Sequence, residues 1–311
     1  MTKFSLILIC FFISFPALAL EKVKLGLNWK AEPEFAGFYA AQINKHYEKA
    51  GLDVELIEGA ANAPIVQMVA TGQLDFGIAT GDQVIVARER GADIVALFSV
   101  YQKSPACLMV REDSGIKSIK DLMASDFTIA VGGSHPYASY LQKKYPGSKA
   151  KIVPYMGGIT NFLNDKKFAQ QCFVGSEPEL AIAKGVKTRT LPLADEGLDN
   201  YAALVVTNGK FLKEKSELAK KLVAASHQGW LDYYKNPKPA HDVIGKLNSA
   251  MDPKTMDAIM REQKPYVTGK DGNLKNIGKI EKARWDRLQK QLKDLDMVKK
   301  TTPADSFFKI L

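Results

Sequence analysis

Apolar runs of only a few residues, each closed by a polar or glycine-bearing loop and most followed by a helical stretch, constrain this chain more than any other feature. They fall at 23–27, 53–57, 76–79, 94–100, 106–110, 127–131, 152–155, 171–174 and 201–207. Runs this short, bounded by turn residues, read as strands, and strands alternating with helices pack into largely parallel sheets covered by helices. The chain is therefore α/β. Tyr101-Gln102-Lys103-Ser104-Pro105 interrupts the alternation, and the strongly apolar run at 201–207 carries the chain back towards its first block. With 311 residues there is enough chain for two domains. The expected division is a lobe of 20–105 plus 205–311 and a second lobe of 106–204. Beyond Ser216 the pattern is helical, with Trp230 and Trp285 as core anchors.

The first residues point to export. Lys3 precedes an apolar run at 4–15, and Ala17-Leu18-Ala19 supplies small residues for a signal peptidase, so 1–19 read as a cleaved signal peptide and the periplasm as the destination. The run is shorter than the roughly 20 residues a spanning helix needs. Cys10 has too little apolar segment before it for a lipid anchor. Cys107 and Cys172 then remain, both in apolar strand runs, which reads as buried free thiols, although pairing is open to two cysteines in an oxidising compartment. No cysteine or histidine spacing suits structural zinc. The formal charge of +9 comes from lysines interleaved with acids along helices, as on solvated faces, and not from a nucleic-acid patch.

Candidate site residues lie where strands end. Strand 23–27 leads into Asn28-Trp29, then Glu32, and Pro33 opens a helix bearing Phe35, Phe38 and Tyr39. Loops at the carboxyl ends of strands are where ligands sit in α/β sheets, yet the same aromatics suit a core equally well. Strand 76–79 stops at Thr80-Gly81-Asp82-Gln83, which fits either ligand contact or a helix cap. Gly132-Gly133-Ser134-His135 follows strand 127–131, with Tyr137 just beyond; its spacing is no nucleotide fingerprint, but glycines allow close backbone approach. Tyr155 ends strand 152–155, and Glu177 sits past strand 171–174, as a cleft carboxylate or a cap of the next helix. His46, His227 and His241 fall in helical patterns and read as surface residues. No Ser/His/Asp or Cys/His set stands out, so the residues favour capture of a small molecule between lobes over catalysis.

Five stretches carry a resemblance: LNWKAEPEFAGFYAA (27–41), GQLDFGIATGDQ (72–83), YQKSPACLMV (101–110), DLMASDFTIAVGGS (121–134) and FVGSEPELA (173–181). In this order they resemble the periplasmic solute-binding proteins of ABC importers, in the branch that holds thiamine-pyrimidine-precursor, riboflavin and sulfonate/nitrate binders. The resemblance implies a type II periplasmic binding fold: two α/β lobes, two crossover segments, and a hinge that closes a ligand cleft. It implies no cofactor, a membrane permease as partner and a monomer. Asn28, Trp29, Glu32, Tyr39, Gly81, Asp82, Gln83, Tyr101, Ser134, His135, Tyr137, Tyr155 and Glu177 are then the expected ligand contacts. Acid-bearing loops and stacking aromatics suit an aminopyrimidine or flavin-like ring, with a sulfonate or nitrate anion as the alternative. Eukaryotic pyrimidine synthases share this fold and use a cysteine-rich iron motif; here only Cys172 stands in Gln170-Gln171-Cys172-Phe173, which argues against such an enzyme. A sensor-input role is the remaining alternative.

Overall fold

A computed structural model describes residues 19–60, 63–133 and 136–311. The leader residues 1–18, with Lys3 and Cys10, lie outside the described residues, as do Ser134 and His135.

The strands are β1 (Glu21–Gly26), β2 (Leu52–Ile57), β3 (Phe76–Ala79), β4 (Ile94–Ser99), β5 (Ala106–Arg111), β6 (Thr128–Val131), β7 (Lys151–Pro154), β8 (Phe168–Phe173), β9 (Thr188–Pro192) and β10 (Leu204–Asn208). They form two five-stranded sheets, ordered β2-β1-β3-β10-β4 and β7-β6-β8-β5-β9. In the first sheet β1 runs parallel to β2 and β3, and β10 enters antiparallel between β3 and β4. In the second, β6 runs parallel to β7 and β8, and β5 is antiparallel to β8 and β9. Each sheet thus owes one antiparallel strand to a segment that has crossed over: β5 outward, β10 on return. Every residue of β3 is buried, as expected of a strand with helices on both faces.

Helices after β10 cover the first sheet. The helix Ser216–Lys235 packs against the helix Ala36–Ile43, where Gly37 and Gly229 face each other so closely that a Cβ on Gly229 would stand 2.3 Å from the Gly37 carbonyl oxygen. Trp230 fills the space beside them, edge-on to Phe38 at 5.9 Å between ring centres. Phe35 and Phe38 are buried in the core, as are Trp230 and Trp285, the expected core anchors.

Arg284, on the helix Lys282–Asp294, joins the two crossovers. Its guanidinium donates to the carbonyl of Tyr101 on the first (3.0 Å) and to the carbonyls of Asn200 (2.8 Å) and Asp199 (3.2 Å) on the second. It also pairs with Asp199 Oδ1 at 3.0 Å and lies 4.1 Å above the Tyr201 ring. The same Asp199 oxygen accepts from the Ser104 amide at 2.9 Å. One buried cation therefore holds both connecting segments in register.

Several expectations need correction. Cys107 and Cys172 are not free thiols; they form a disulfide. They are direct partners across β5 and β8 with Cα atoms 5.0 Å apart, within bridging distance, a neighbour relation that exists only once the sheet has formed. The run 201–207 becomes strand only from Leu204, because Ala203 adopts a left-handed φ of 46° that interrupts an extended ladder. Strand β9 was not expected; TRTLP has no apolar run, and it pairs at the sheet edge. His241 is buried, with Nε2 3.1 Å from the Tyr233 hydroxyl and Nδ1 3.3 Å from Asp257.

Candidate functional site

The carboxyl ends of β1 and β3 in one sheet and of β6, β7 and β8 in the other open onto a shared cleft of about 230 Å3. Asn28, Trp29, Glu32, Glu34, Pro64, Gln67 and Gln83 line its first wall. Gly132, Tyr137, Tyr155, Gln171, Cys172, Phe173, Ser176 and Glu177 line the second.

Local sequence explains each placement. After β1 the chain cannot continue in the sheet, and Pro33 starts a short 3-10 turn, Pro33–Phe35, that leads into the helix Ala36–Ile43. The loop in between carries Trp29, half-buried and packed against hydrophobic clusters of both lobes. The Trp29 indole donates to Glu32 Oε1 at 3.1 Å, and the Ser176 hydroxyl from the opposite wall donates to Glu32 Oε2 at 2.7 Å. Glu32 is thus bonded across the cleft. On the far wall Glu177 begins the helix Glu177–Ala183; its Oε2 accepts from the Phe173 amide at 2.9 Å and its Oε1 from the Tyr155 hydroxyl at 3.3 Å. The Gly132 amide donates to Gln171 Oε1 at 2.5 Å, which fixes the loop after β6.

Three carboxyl groups therefore share one cleft, and no Lys or Arg lines it among the described residues. The Glu32 carboxyl is pushed up to about 7, first by burial and then by the Glu177 charge, against the pull of the Ser176 and Trp29 hydrogen bonds and of Lys30. Glu34 is held well above the usual range by burial, then by Glu32 and Glu177. Burial also raises Glu177, opposed by its backbone and Tyr155 hydrogen bonds. A carboxyl whose folded pKa exceeds its unfolded one holds its proton more tightly when folded, so this stability is present at low pH and lost as pH rises from about 4.5 through 7. Ligand-free protein is expected to be less stable at pH 8 than at pH 5 by on the order of 2–3 kcal/mol. Urea unfolding of Glu32→Gln should show a clearly flatter pH dependence; an unchanged slope would contradict the assignment.

Of the expected contacts, the cleft gathers Asn28, Trp29, Glu32, Gln83, Tyr137, Tyr155 and Glu177. It does not gather four others. Tyr39 points into the core from its helix, 3% exposed. Tyr101 is buried behind the wall, its hydroxyl donating to Gln263 Oε1 at 3.0 Å. Gly81 packs under Leu288 and Asn200, with its amide donating to the Tyr201 carbonyl. Asp82 is buried and accepts from the Asn200 amide group at 2.6 Å, so it ties the second crossover to the helix Gly81–Glu89. Gln83 also serves its helix start, its Oε1 accepting from the Thr80 amide at 3.1 Å.

Sequence reasoning missed Gln67, Gln171, Phe173 and Ser176, and left Glu34, which crowds the same turn as Glu32, out of the expected contacts. Gln170-Gln171 carried a signal, since two amides inside a buried strand need a polar surface to face. Glu34 and Ser176 each stand within two residues of a residue that was singled out.

The sequence profile described as NMT1/THI5 like matches residues 32–240. The chain is 25% identical over 233 residues to the riboflavin-binding protein RibY of Chloroflexus aurantiacus, covering 72% of this chain and 66% of that protein. It is 23% identical over 105 residues to the 4-amino-5-hydroxymethyl-2-methylpyrimidine phosphate synthase of Schizosaccharomyces pombe, covering 34% of this chain and 30% of the synthase. The chain thus spans less than two thirds of the length of these relatives. Among solved structures, the periplasmic aliphatic sulphonate binding protein SsuA of Escherichia coli superposes with a TM-score of 0.70 at 15% identity, covering 94% of each chain. At that identity the likeness shows the fold alone, which is that of the periplasmic binding proteins. With the profile covering well over half of the chain, the chain belongs to the NMT1/THI5-like family.

Proposed function

We propose that this protein is the extracytoplasmic solute-binding component of an ABC importer, and that it captures a small amino-substituted nitrogen heterocycle, of the thiamine-pyrimidine class, between its lobes. It closes about the crossovers near residues 105 and 205 and hands the ligand, as a monomer, to a membrane permease. The observation that carries this reading is the cleft's charge: Glu32, Glu34 and Glu177 with no lining Lys or Arg among the described residues. An anion entering such a cleft would meet three acidic groups and no compensating cation, which makes its desolvation costly. A ring with exocyclic amine and ring N–H groups offers donors where the walls offer acceptors, and charge-assisted bonds are the strong ones. Trp29, Tyr137, Tyr155 and Phe173 supply faces for the ring.

Size favours one ring over three. A cavity of about 150 Å3 holds a benzene molecule, so a cleft of about 230 Å3 suits a substituted single ring better than a flavin. The disulfide supports the reading of export to an oxidising compartment, as does the leader-like start of the sequence. No helix among the described residues is long and apolar enough to cross a membrane.

Thermal shift with pyrimidines, riboflavin and alkanesulfonates tests the proposal. A ligand at about 100 times its Kd adds about 2.7 kcal/mol to stability, so an aminopyrimidine should raise Tm by several degrees. Stabilisation by sulfonates alone would overturn it.

A further inference from the structure

The three cleft carboxyls are not equivalent. Both oxygens of Glu32 already accept from protein donors, Trp29 and Ser176, and both oxygens of Glu177 accept from Tyr155 and Phe173. Glu34 receives no hydrogen bond from any described residue, although it lines the cleft and its surroundings are largely buried. The donors behind it are committed elsewhere: the Tyr101 hydroxyl to Gln263 Oε1, and Gln263 Nε2 to the carbonyl of Pro33 at 3.2 Å. That last bond also anchors the turn from which Glu34 projects. A second, separate acceptor points the same way, since Asn28 Oδ1 is buried in the cleft wall with no partner among the described residues.

We propose that Glu34 is the specificity-determining residue of the cleft, and that it selects ligands whose ring bears a cationic arm, such as a primary ammonium, over ligands whose arm is neutral. The inference rests on the ring-binding reading above. The groups that face Glu34 are Glu32 and Glu177, both acidic, and the Tyr101 hydroxyl. None of these supplies positive charge, so the ionised form of Glu34 must be balanced from the ligand. Burial and the two neighbouring acids favour the protonated form of Glu34 in the empty site, and a cationic arm favours the ionised form. A neutral arm gains only an ordinary hydrogen bond there.

Calorimetric titration with two probes on one ring tests this: 4-amino-5-aminomethyl-2-methylpyrimidine and 4-amino-5-hydroxymethyl-2-methylpyrimidine. Wild type should bind the aminomethyl probe about tenfold more tightly or better, the scale of one charged over one neutral hydrogen bond. The preference should grow as pH rises, because a higher pH favours the ionised form of Glu34 that the cationic arm needs. In Glu34→Gln the preference should vanish, with the aminomethyl probe losing clearly more affinity than the hydroxymethyl probe, and circular dichroism and Tm of the variant establish that it folds. Equal affinity of wild type for the two probes, or a preference retained in Glu34→Gln, overturns the role of Glu34 and leaves the ring-binding reading intact. Binding of neither probe by wild type overturns both.

Discussion

Arg284→Met is expected to destabilise the protein by about 3 kcal/mol, the cost of leaving the carbonyls that the buried guanidinium serves without a donor and the half-exposed Asp199 without its cation. The variant strands Asp199 without its cation and leaves the carbonyls of Tyr101, Asp199 and Asn200 without their donor. It also removes the cation from the face of Tyr201. Methionine keeps most of the side-chain volume, so the loss reports the bonds and not a cavity. At roughly 2–4 °C per kcal/mol for chains of 150–250 residues, Tm should fall by on the order of 10 °C by calorimetry. Because the lost bonds belong to both crossovers, the variant should also show faster hydrogen exchange at residues 101–105 and 199–201 than elsewhere. A loss of stability under about 1 kcal/mol would mean that the crossovers are held by their flanking strands, not by Arg284.

Trp29→Ala is expected to weaken ligand binding by about 30-fold or more, or 2 kcal/mol and upward, the scale of an aromatic hot spot. The indole does two things at once. It offers a ring face in the cleft, and its N–H holds Glu32 Oε1 in place opposite Ser176. It also touches the hydrophobic clusters of both lobes, so its loss removes a contact made across the cleft. Trp29 is only half-buried, so the unliganded fold should survive with far-ultraviolet circular dichroism unchanged. Trp29→Phe separates the effects: it keeps a stacking face and loses only the donor, and should recover most of the affinity. Unchanged affinity in Trp29→Ala would reduce the opening βα loop to a packing element.

Much of the architecture was legible because strands buried on both faces have to be apolar runs, and the loops that close them have to be polar. Strands β3 and β5 announce themselves in this way, as do the βα loops that build the cleft. What was illegible follows from geometry that a single strand does not carry. Strand β9 alternates without an apolar run because it pairs at an edge. The disulfide depends on β8 lying beside β5, although 65 residues separate the two cysteines. Side-chain direction was equally hidden. Tyr39, on its helix, and Tyr101, just after β4, are buried outside the cleft lining, while Glu34, two residues beyond Glu32 on a tight 3-10 turn, lines it. His241 fell in a charged helical stretch yet is buried next to Ala240, where Tyr233 and Asp257 receive it.

The acidic, cation-free cleft is the core of the functional account, and the crystal structure of the protein grown with equimolar 4-amino-5-hydroxymethyl-2-methylpyrimidine and ethanesulfonate tests it most directly. The expected result is a pyrimidine ring between the lobes, with an amine nitrogen about 2.7–3.2 Å from a carboxylate of Glu32, Glu34 or Glu177, and no sulfonate in the cleft. A sulfonate in the cleft, or a pyrimidine bound only elsewhere on the surface, would contradict it.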